Sequence, residues 1–419
     1  MNSCEYKFRS KDALLGAQFL FVAFGALVLM PILCGLDTNV ALFTAGFGTL
    51  IFQFICRQKV PPIFLASSFA FIAPISYAVS EWGLATAMGG VFAAGLVYIL
   101  FAYFVKLKGR EFIDKFLPPI VVGPVIMTIG LVLSPTAVAS AMPTDLSVYT
   151  ALNPNFTITD AMIISGTSLF ITLLIIIFGR GIMKLIPILC GLVVGYILSL
   201  FYGIIDFTQV SQAPWFAVPN FTAPRFKLDA MLYMIPVVIA PIIEHIGNVM
   251  AISNVTGYDY TKKPGLHKTL LGDGIATSVA ALLAGPPCTT YAEVTGAVRL
   301  TKAFNPGIMT WTAITAILLA FVGKLGALVA TIPPCVLGGI MILLFGIIAS
   351  VGMETLIKNK VDMNEPRNMV IIALILVPAL GGMVLDFGFA SFSQIGLGAL
   401  VGVVLNLVLP KNKDEQNVK

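Results

Sequence analysis

Blocks of mostly apolar residues fill this chain, divided by short polar stretches. At roughly 20 residues for one crossing of a bilayer, the pattern predicts membrane helices over 14–34, 40–56, 84–105, 117–134, 161–178, 182–204, 229–252, 269–285, 307–323, 334–352, 368–385 and 391–410. Two further blocks, 60–78 and 287–305, are interrupted near their middles by Pro, Ser or Thr. Together these make fourteen crossings, an even number, which sets both termini on the same side.

The second interrupted block carries the sharpest break in the chain, Pro286-Pro-Cys-Thr-Thr-Tyr-Ala-Glu-Val-Thr-Gly296. A Pro pair, two threonines and then Glu293 predict extended backbone opening into a short half-helix. A carboxylate at membrane depth is costly and marks a functional site. Non-helical backbone at that depth persists only where protein or a watery cavity covers it. Both features in one stretch point to a substrate site in a transporter with broken helices.

An internal repeat places a second copy of that break. Ser67-Ser-Phe-Ala-Phe71 follows Pro61-Pro62 as Thr289-Thr-Tyr-Ala-Glu293 follows Pro286-Pro287, and Leu117-Pro-Pro-Ile-Val-Val-Gly123 is echoed by Ile332-Pro-Pro-Cys-Val-Leu-Gly338. Seven helices separate the copies. An odd number inserts the two halves in opposite directions, the inverted-repeat plan of secondary transporters. The predicted architecture is therefore all-α and polytopic, two inverted seven-helix repeats with short extended segments in the two broken helices.

Charge tests the count. With the N-terminus inside, every Lys and Arg except Arg225, Lys227 and Lys324 falls on inner segments, as the positive-inside rule requires. Composition agrees, with 58% hydrophobic residues, 11% charged residues and a mean hydropathy of +0.97. That excludes an ordinary soluble domain. The net charge of +5 reflects the inner loops and forms no single patch, so nucleic acid is not an expected partner; the lipid bilayer is. Six scattered cysteines show neither a CxxC pair nor metal-ligand spacing, and no metal or cofactor is expected. No small-residue cleavage site follows residues 1–13, so the N-terminus reads as retained.

Of the glutamates, Glu244 and Glu293 lie deep within predicted spans. Asn248, four residues after Glu244, shares its helical face and is placed to hydrogen-bond its carboxylate. Glu293 opens the half-helix, where free N–H groups and the positive dipole end favour an anion or a ligand carbonyl. His245 points about 100° from Glu244 and is either a proton-relay member or a histidine satisfied by a neighbouring helix. Asp273 reads as a helix-packing polar group near the membrane surface, and Asp386 as a solvated helix end. Phe69 and Tyr291 occupy equivalent repeat positions, where a matched aromatic pair is able to sandwich a planar ligand. The extended segments around Phe69 and Ala292 are expected to meet at mid-membrane with unpaired backbone donors and acceptors. A flat ligand with N–H donors and C=O acceptors in one plane suits such a pocket.

These motifs resemble the nucleobase/ascorbate transporter family, and within it the branch that carries uracil in bacteria. The matches are Ser67-Ser-Phe-Ala-Phe-Ile-Ala-Pro74, Glu244-His-Ile-Gly247, Pro264-Gly-Leu-His267, Thr289-Thr-Tyr291 with Glu293, and Thr301-Lys302, over essentially the whole chain. The resemblance implies proton-coupled uptake across the inner membrane by a core domain moving against a gate domain, in a chain that often forms homodimers. On that plan residues 1–134 are the core helices and first gate helix of repeat 1, and 135–228 are gate helices and outer loops. Residues 229–330 are the core helices of repeat 2, and 331–419 are its gate helices with a short cytoplasmic tail. The resemblance further implies that Glu244 and Glu293, with the backbones at Phe69 and Ala292, contact the base, and that Glu244, Glu293, His245 and Asn248 serve proton coupling. Glu rather than Gln at 293 favours uracil; xanthine, urate or another oxopurine is the alternative. Val294, Ala292, Cys288, Asn248, Met341 and Phe345 depart from the residues usual in relatives. An anion carrier of the sulfate/bicarbonate type shares the general plan without two pocket glutamates. An intramembrane enzyme is disfavoured, because no HExxH, paired Asp motif or Ser/Lys dyad lies at membrane depth.

Overall fold

In a computed structural model, residues 4–181, 183–386 and 391–410 are described here. The chain forms α1 (Ala13–Cys34), α2 (Thr38–Ile55), the strand β1 (Leu65–Ser67), α3 (Ile72–Trp82), α4 (Leu84–Lys108), α5 (Pro119–Ala141), α6 (Ile158–Phe178) and α7 (Pro187–Phe201). After these come α8 (Leu228–Thr256, with a 3-10 turn at Ile235–Val238), α9 (Leu266–Leu282), β2 (Cys288–Thr290), α10 (Ala292–Thr301), α11 (Gly307–Ala320), α12 (Pro334–Lys358) and α13 (Pro366–Leu380). A two-strand hairpin, β3 (Val384–Asp386) and β4 (Ser391–Ser393), precedes α14 (Gln394–Val408). Among the described residues, α1, α2, α4, α5, α6, α8 and α12 are long and apolar enough to cross a membrane, and α7, α11, α13 and α14 are shorter apolar helices.

Local chemistry sets many of the boundaries. Asp37 caps α2 by accepting from the backbone N–H groups of Asn39 and Val40, and Thr157 with Asp160 forms a reciprocal capping box at α6. Pro119 and Pro334 open α5 and α12, where a missing N–H costs nothing. Three boundaries differ from expectation. The helix read as ending at 134 runs on to Ala141, through Pro135, because the preceding turns are held by apolar packing. The hairpin β3–β4 occupies sequence read as the end of one helix and the start of the next, so Asp386 sits in a strand rather than at a helix end. The expected tail beyond Pro410 lies outside the described residues.

The packing of the helices exchanges each element of one half with its counterpart seven helices later. Helix α2 packs on α11 as α9 packs on α4, and α1 packs on α11 as α8 packs on α4. Helix α6 packs on α7 and α12 as α13 packs on α14 and α5. Two contacts map onto themselves: α5 crosses α12, and β1 pairs with β2. The α5–α12 crossing is close because small residues meet backbone at both ends. A Cβ at Gly123 would lie 2.9 Å from the Gly352 carbonyl, and one at Gly338 would lie 2.2 Å from the Ala141 nitrogen. Such close approach is the usual source of helix association in lipid. The result is two helix sets, α1–α4 with α8–α11 and α5–α7 with α12–α14, meeting where α1 touches α7 and α8 touches α5 and α14.

Polar side chains sort to two ends. At one, the N-terminal segment is tied down by Asn305, which accepts from Lys7 N–H and donates to the Lys7 carbonyl, while the Trp311 indole donates to the Arg9 carbonyl. At the other, Asn220 donates to Asp37, Arg225 N–H donates to the Ala85 carbonyl, and Lys324 donates to the Val210 carbonyl. The three basic residues predicted on the outer side, Arg225, Lys227 and Lys324, thus lie at the end opposite Lys7 and Arg9.

Candidate functional site

Strands β1 and β2, 223 residues apart at their starts, form an antiparallel pair with Leu65 opposite Thr290, Ala66 opposite Thr289 and Ser67 opposite Cys288. The ladder continues one step at each end, from Ser68 N–H to the Pro287 carbonyl (2.9 Å) and from Tyr291 N–H to the Phe64 carbonyl (3.2 Å). All six strand residues are buried. Through 64–68 and 287–291 the two extended segments satisfy one another; the positions expected to offer unpaired groups, Phe69 and Ala292, follow directly after this ladder.

A two-stranded sheet still has two outward edges, and each buried backbone group there needs a partner. Helices α2 and α9 supply equivalent threonines. The Thr49 hydroxyl accepts the Leu65 N–H at 2.9 Å, and the Thr277 hydroxyl accepts the Cys288 N–H at 3.1 Å. The Ser67 carbonyl accepts from the Tyr291 hydroxyl at 3.3 Å, and the Thr290 carbonyl accepts from Asn248 Nδ2 at 2.6 Å. Asn248 therefore does not spend its amide N–H on Glu244, as helical spacing predicted. It fastens α8 to β2, because an outward strand carbonyl is the nearer buried acceptor.

Beside this ladder lies a cavity of about 650 Å³ that receives Ser67, Phe69, Glu244, Asn248, Tyr291 and Glu293. Glu244 projects from the middle of α8, and Glu293 stands in the first turn of α10, where backbone N–H groups lack intrahelical partners. Both carboxylates are half-buried and share one cavity wall region although they come from different elements. Ala292 contributes the opening backbone of α10. The Phe69 and Tyr291 rings sit 6.4 Å apart at 34°, with Phe345 edge-on to Phe69 at 6.3 Å. These are ordinary aromatic-pair separations, which leave no space for a third ring between Phe69 and Tyr291. The two rings and Phe345 instead form a continuous aromatic wall.

His245 turns the other way. It is fully buried, does not line the cavity, and places Nδ1 2.7 Å from Asp273 Oδ2. Asp273 is likewise fully buried on α9, where it packs against α8 through His245 as a helix-packing polar group. Of the two readings of His245 from sequence, the structure places it against a neighbouring helix. The cavity lining also includes Asn254, Glu354, Lys358 and Asn359. Asn254 lies two residues before Thr256, whose carbonyl accepts from Cys4 of the N-terminal segment.

Two acids and an aromatic wall held between opposed broken helices define a multi-pass membrane transporter. Residues 10–387 match the xanthine/uracil permease model, described as the Permease family. The chain belongs to this family of permeases, the nucleobase/ascorbate transporter family. It is similar to the probable uracil permease of Haemophilus influenzae, at 55% identity over 98% of this chain and 97% of the relative. It is also similar to the uracil permease of Bacillus caldolyticus, at 44% identity over 94% and 91%, and to that of Escherichia coli, at 36% over 94% and 90%. Among solved structures it shares its fold with the transmembrane domain of a cyanobacterium bicarbonate transporter, BicA (TM-score 0.65, 17% identity, 97% of this chain and 99% of that one). A second is SLC26A9 (TM-score 0.72, 12% identity, 96% and 66%). At those identities the likeness is one of fold, and it agrees with the inverted repeat.

Proposed function

We propose that this chain is a uracil permease that imports its base together with protons by alternating access. The observation that carries the reading is the convergence of Glu244 and Glu293 on one cavity beside the β1–β2 ladder. A carboxylate pair accepts the ring N–H groups of a pyrimidine, the first N–H groups of α10 donate to its carbonyls, and Phe69 and Tyr291 stack on its face. The relatives named above, uracil permeases by their descriptions, support uracil over an oxopurine.

On this reading all fourteen helical segments cross the membrane, with the two interrupted ones completing their crossings through β1 and β2. Both termini are cytoplasmic, which puts the cavity mouth at Lys358 and Asn359 on the cytoplasmic side and makes this an inward-open arrangement. The set α1–α4 with α8–α11 is the core that carries the base, and α5–α7 with α12–α14 is the gate. Protonation of a site glutamate removes a charge from the cavity before the core moves past apolar gate residues, since moving an unpaired charge there is costly. Asn248 and His245 act through position: the first fixes β2 to α8, and the second fixes α8 to α9.

The test is uptake of labelled uracil by cells expressing Glu244→Gln or Glu293→Gln. Each is expected to lose accumulation while expression at the membrane persists. Accumulation at the parent level by both variants rejects the site. Xanthine added in excess is expected to leave uracil uptake unchanged; strong competition favours an oxopurine carrier.

A further inference from the structure

A second cavity, of about 290 Å³, lies between the two helix sets and shares only Leu117 with the lining of the substrate cavity. Side chains of α4, among them Leu100 and Phe104, form one wall, and Phe116 with Leu117, Ile239 and Ile242 of α8, and Val403 of α14 face them. Every one of these side chains is apolar. A nucleobase is excluded, because its N–H and C=O groups would be left unpaired, and water finds no partners there. Leu100 is 53% exposed and Phe104 38% exposed, so the crevice opens on the outer surface of the helix bundle, where hydrocarbon chains lie.

Its polar end is basic. Lys108 follows Phe104 by four residues and so continues the crevice-lining face of α4. Residues 106–115 carry Lys106, Lys108, Arg110 and Lys115 against Glu111 and Asp114. Lys115 Nζ lies 5.9 Å from the centre of the Phe116 ring, and its carbonyl accepts from Asn406 Nδ2 at 2.7 Å. Asn406 in turn accepts from Arg367, whose buried Nε has no hydrogen-bond partner among the described residues. An apolar slot on the bundle surface with cations beyond its end suits a phospholipid with an anionic head group.

We propose that this crevice holds an acyl chain of an anionic phospholipid, with its head group on Lys108 and Lys115. Assigning the crevice to the core–gate boundary rests on the transport reading above; the lipid site itself rests only on the crevice and its charge. A lipid seated there touches both helix sets, so it biases whichever arrangement it fits better.

The experiment is native mass spectrometry of the full chain in mild detergent, supplied with phosphatidylglycerol or with phosphatidylcholine of the same chains. The parent is expected to retain phosphatidylglycerol over phosphatidylcholine by about tenfold or more. Leu100→Trp, which fills the slot, and Lys108→Gln with Lys115→Gln are each expected to abolish that preference. Val403→Phe fills the slot from the opposite wall and serves where Leu100→Trp does not fold. Uracil binding measured on the same samples is expected to persist in every variant, because none of these four residues lines the substrate cavity; loss of uracil binding by the parent would count against the transport reading alone. Equal retention of the two lipids, parent-like retention by both slot-filling variants, or a preference that survives loss of both lysines overturns the proposal. So does dissociation of a dimer in Leu100→Trp with lipid retention intact, which would assign the crevice to a second copy of the chain.

Discussion

At the scale of single residues, the site depends on side chains that finish hydrogen bonds begun elsewhere. Asn248 is one: replaced by Ala, it leaves the buried Thr290 carbonyl without its donor. We expect a loss of about 1–3 kcal/mol, read as a lower unfolding temperature in detergent and several-fold weaker uracil binding. The His245–Asp273 pair is another, with both side chains fully buried. Removing one partner of such a pair leaves an uncompensated group, so His245→Ala is expected to destabilise by about 3–5 kcal/mol. Unfolding temperature checks this. A direct role in proton transfer predicts the opposite pattern, parent stability with uptake that no longer follows the proton gradient.

At the scale of elements, the β1–β2 ladder is what the substrate cavity is built against. Thr49→Val and Thr277→Val keep shape while each strands one buried N–H, at Leu65 or at Cys288. Each is expected to cost about 1–3 kcal/mol, and thermal unfolding of the two single variants and the double measures whether the equivalent positions add. Much of this arrangement could be read from sequence. In an apolar chain, Glu244, Glu293 and the Pro-Pro interruptions stand out because nothing polar surrounds them to dilute the signal. The ladder itself was not legible: three-residue strands are too short to show a period of two, and their partners lie more than two hundred residues away. The same limit hid the threonines, which read as ordinary helix residues until the strand edges they serve are known. Helical spacing sets Asn248 on the same face as Glu244 but does not identify its partner, because spacing reports neighbours on one helix and not a strand lying across it. The β3–β4 hairpin was missed for the opposite reason, since its apolar residues continue the pattern of the flanking helices.

At the scale of the whole molecule, Lys358 and Asn359 in the cavity lining mark its proposed cytoplasmic mouth. Thr355→Cys, near that mouth, is therefore expected to react with a membrane-impermeant thiol reagent in inside-out vesicles and to resist it in right-side-out ones. The reverse result would invert the orientation. Exposure of the chain to a protonophore is expected to abolish accumulation of uracil while leaving equilibration across the membrane intact. One further consequence belongs to synthesis. Leu65 and its partner Thr290 are separated by 225 positions, so at ordinary elongation rates roughly 10–45 s pass between their emergence from the ribosome. During that interval the first half of the chain holds an unmated strand within the bilayer. A released chain truncated before residue 288 should therefore be a target for membrane quality-control proteases, and one truncated just beyond 301 should escape them.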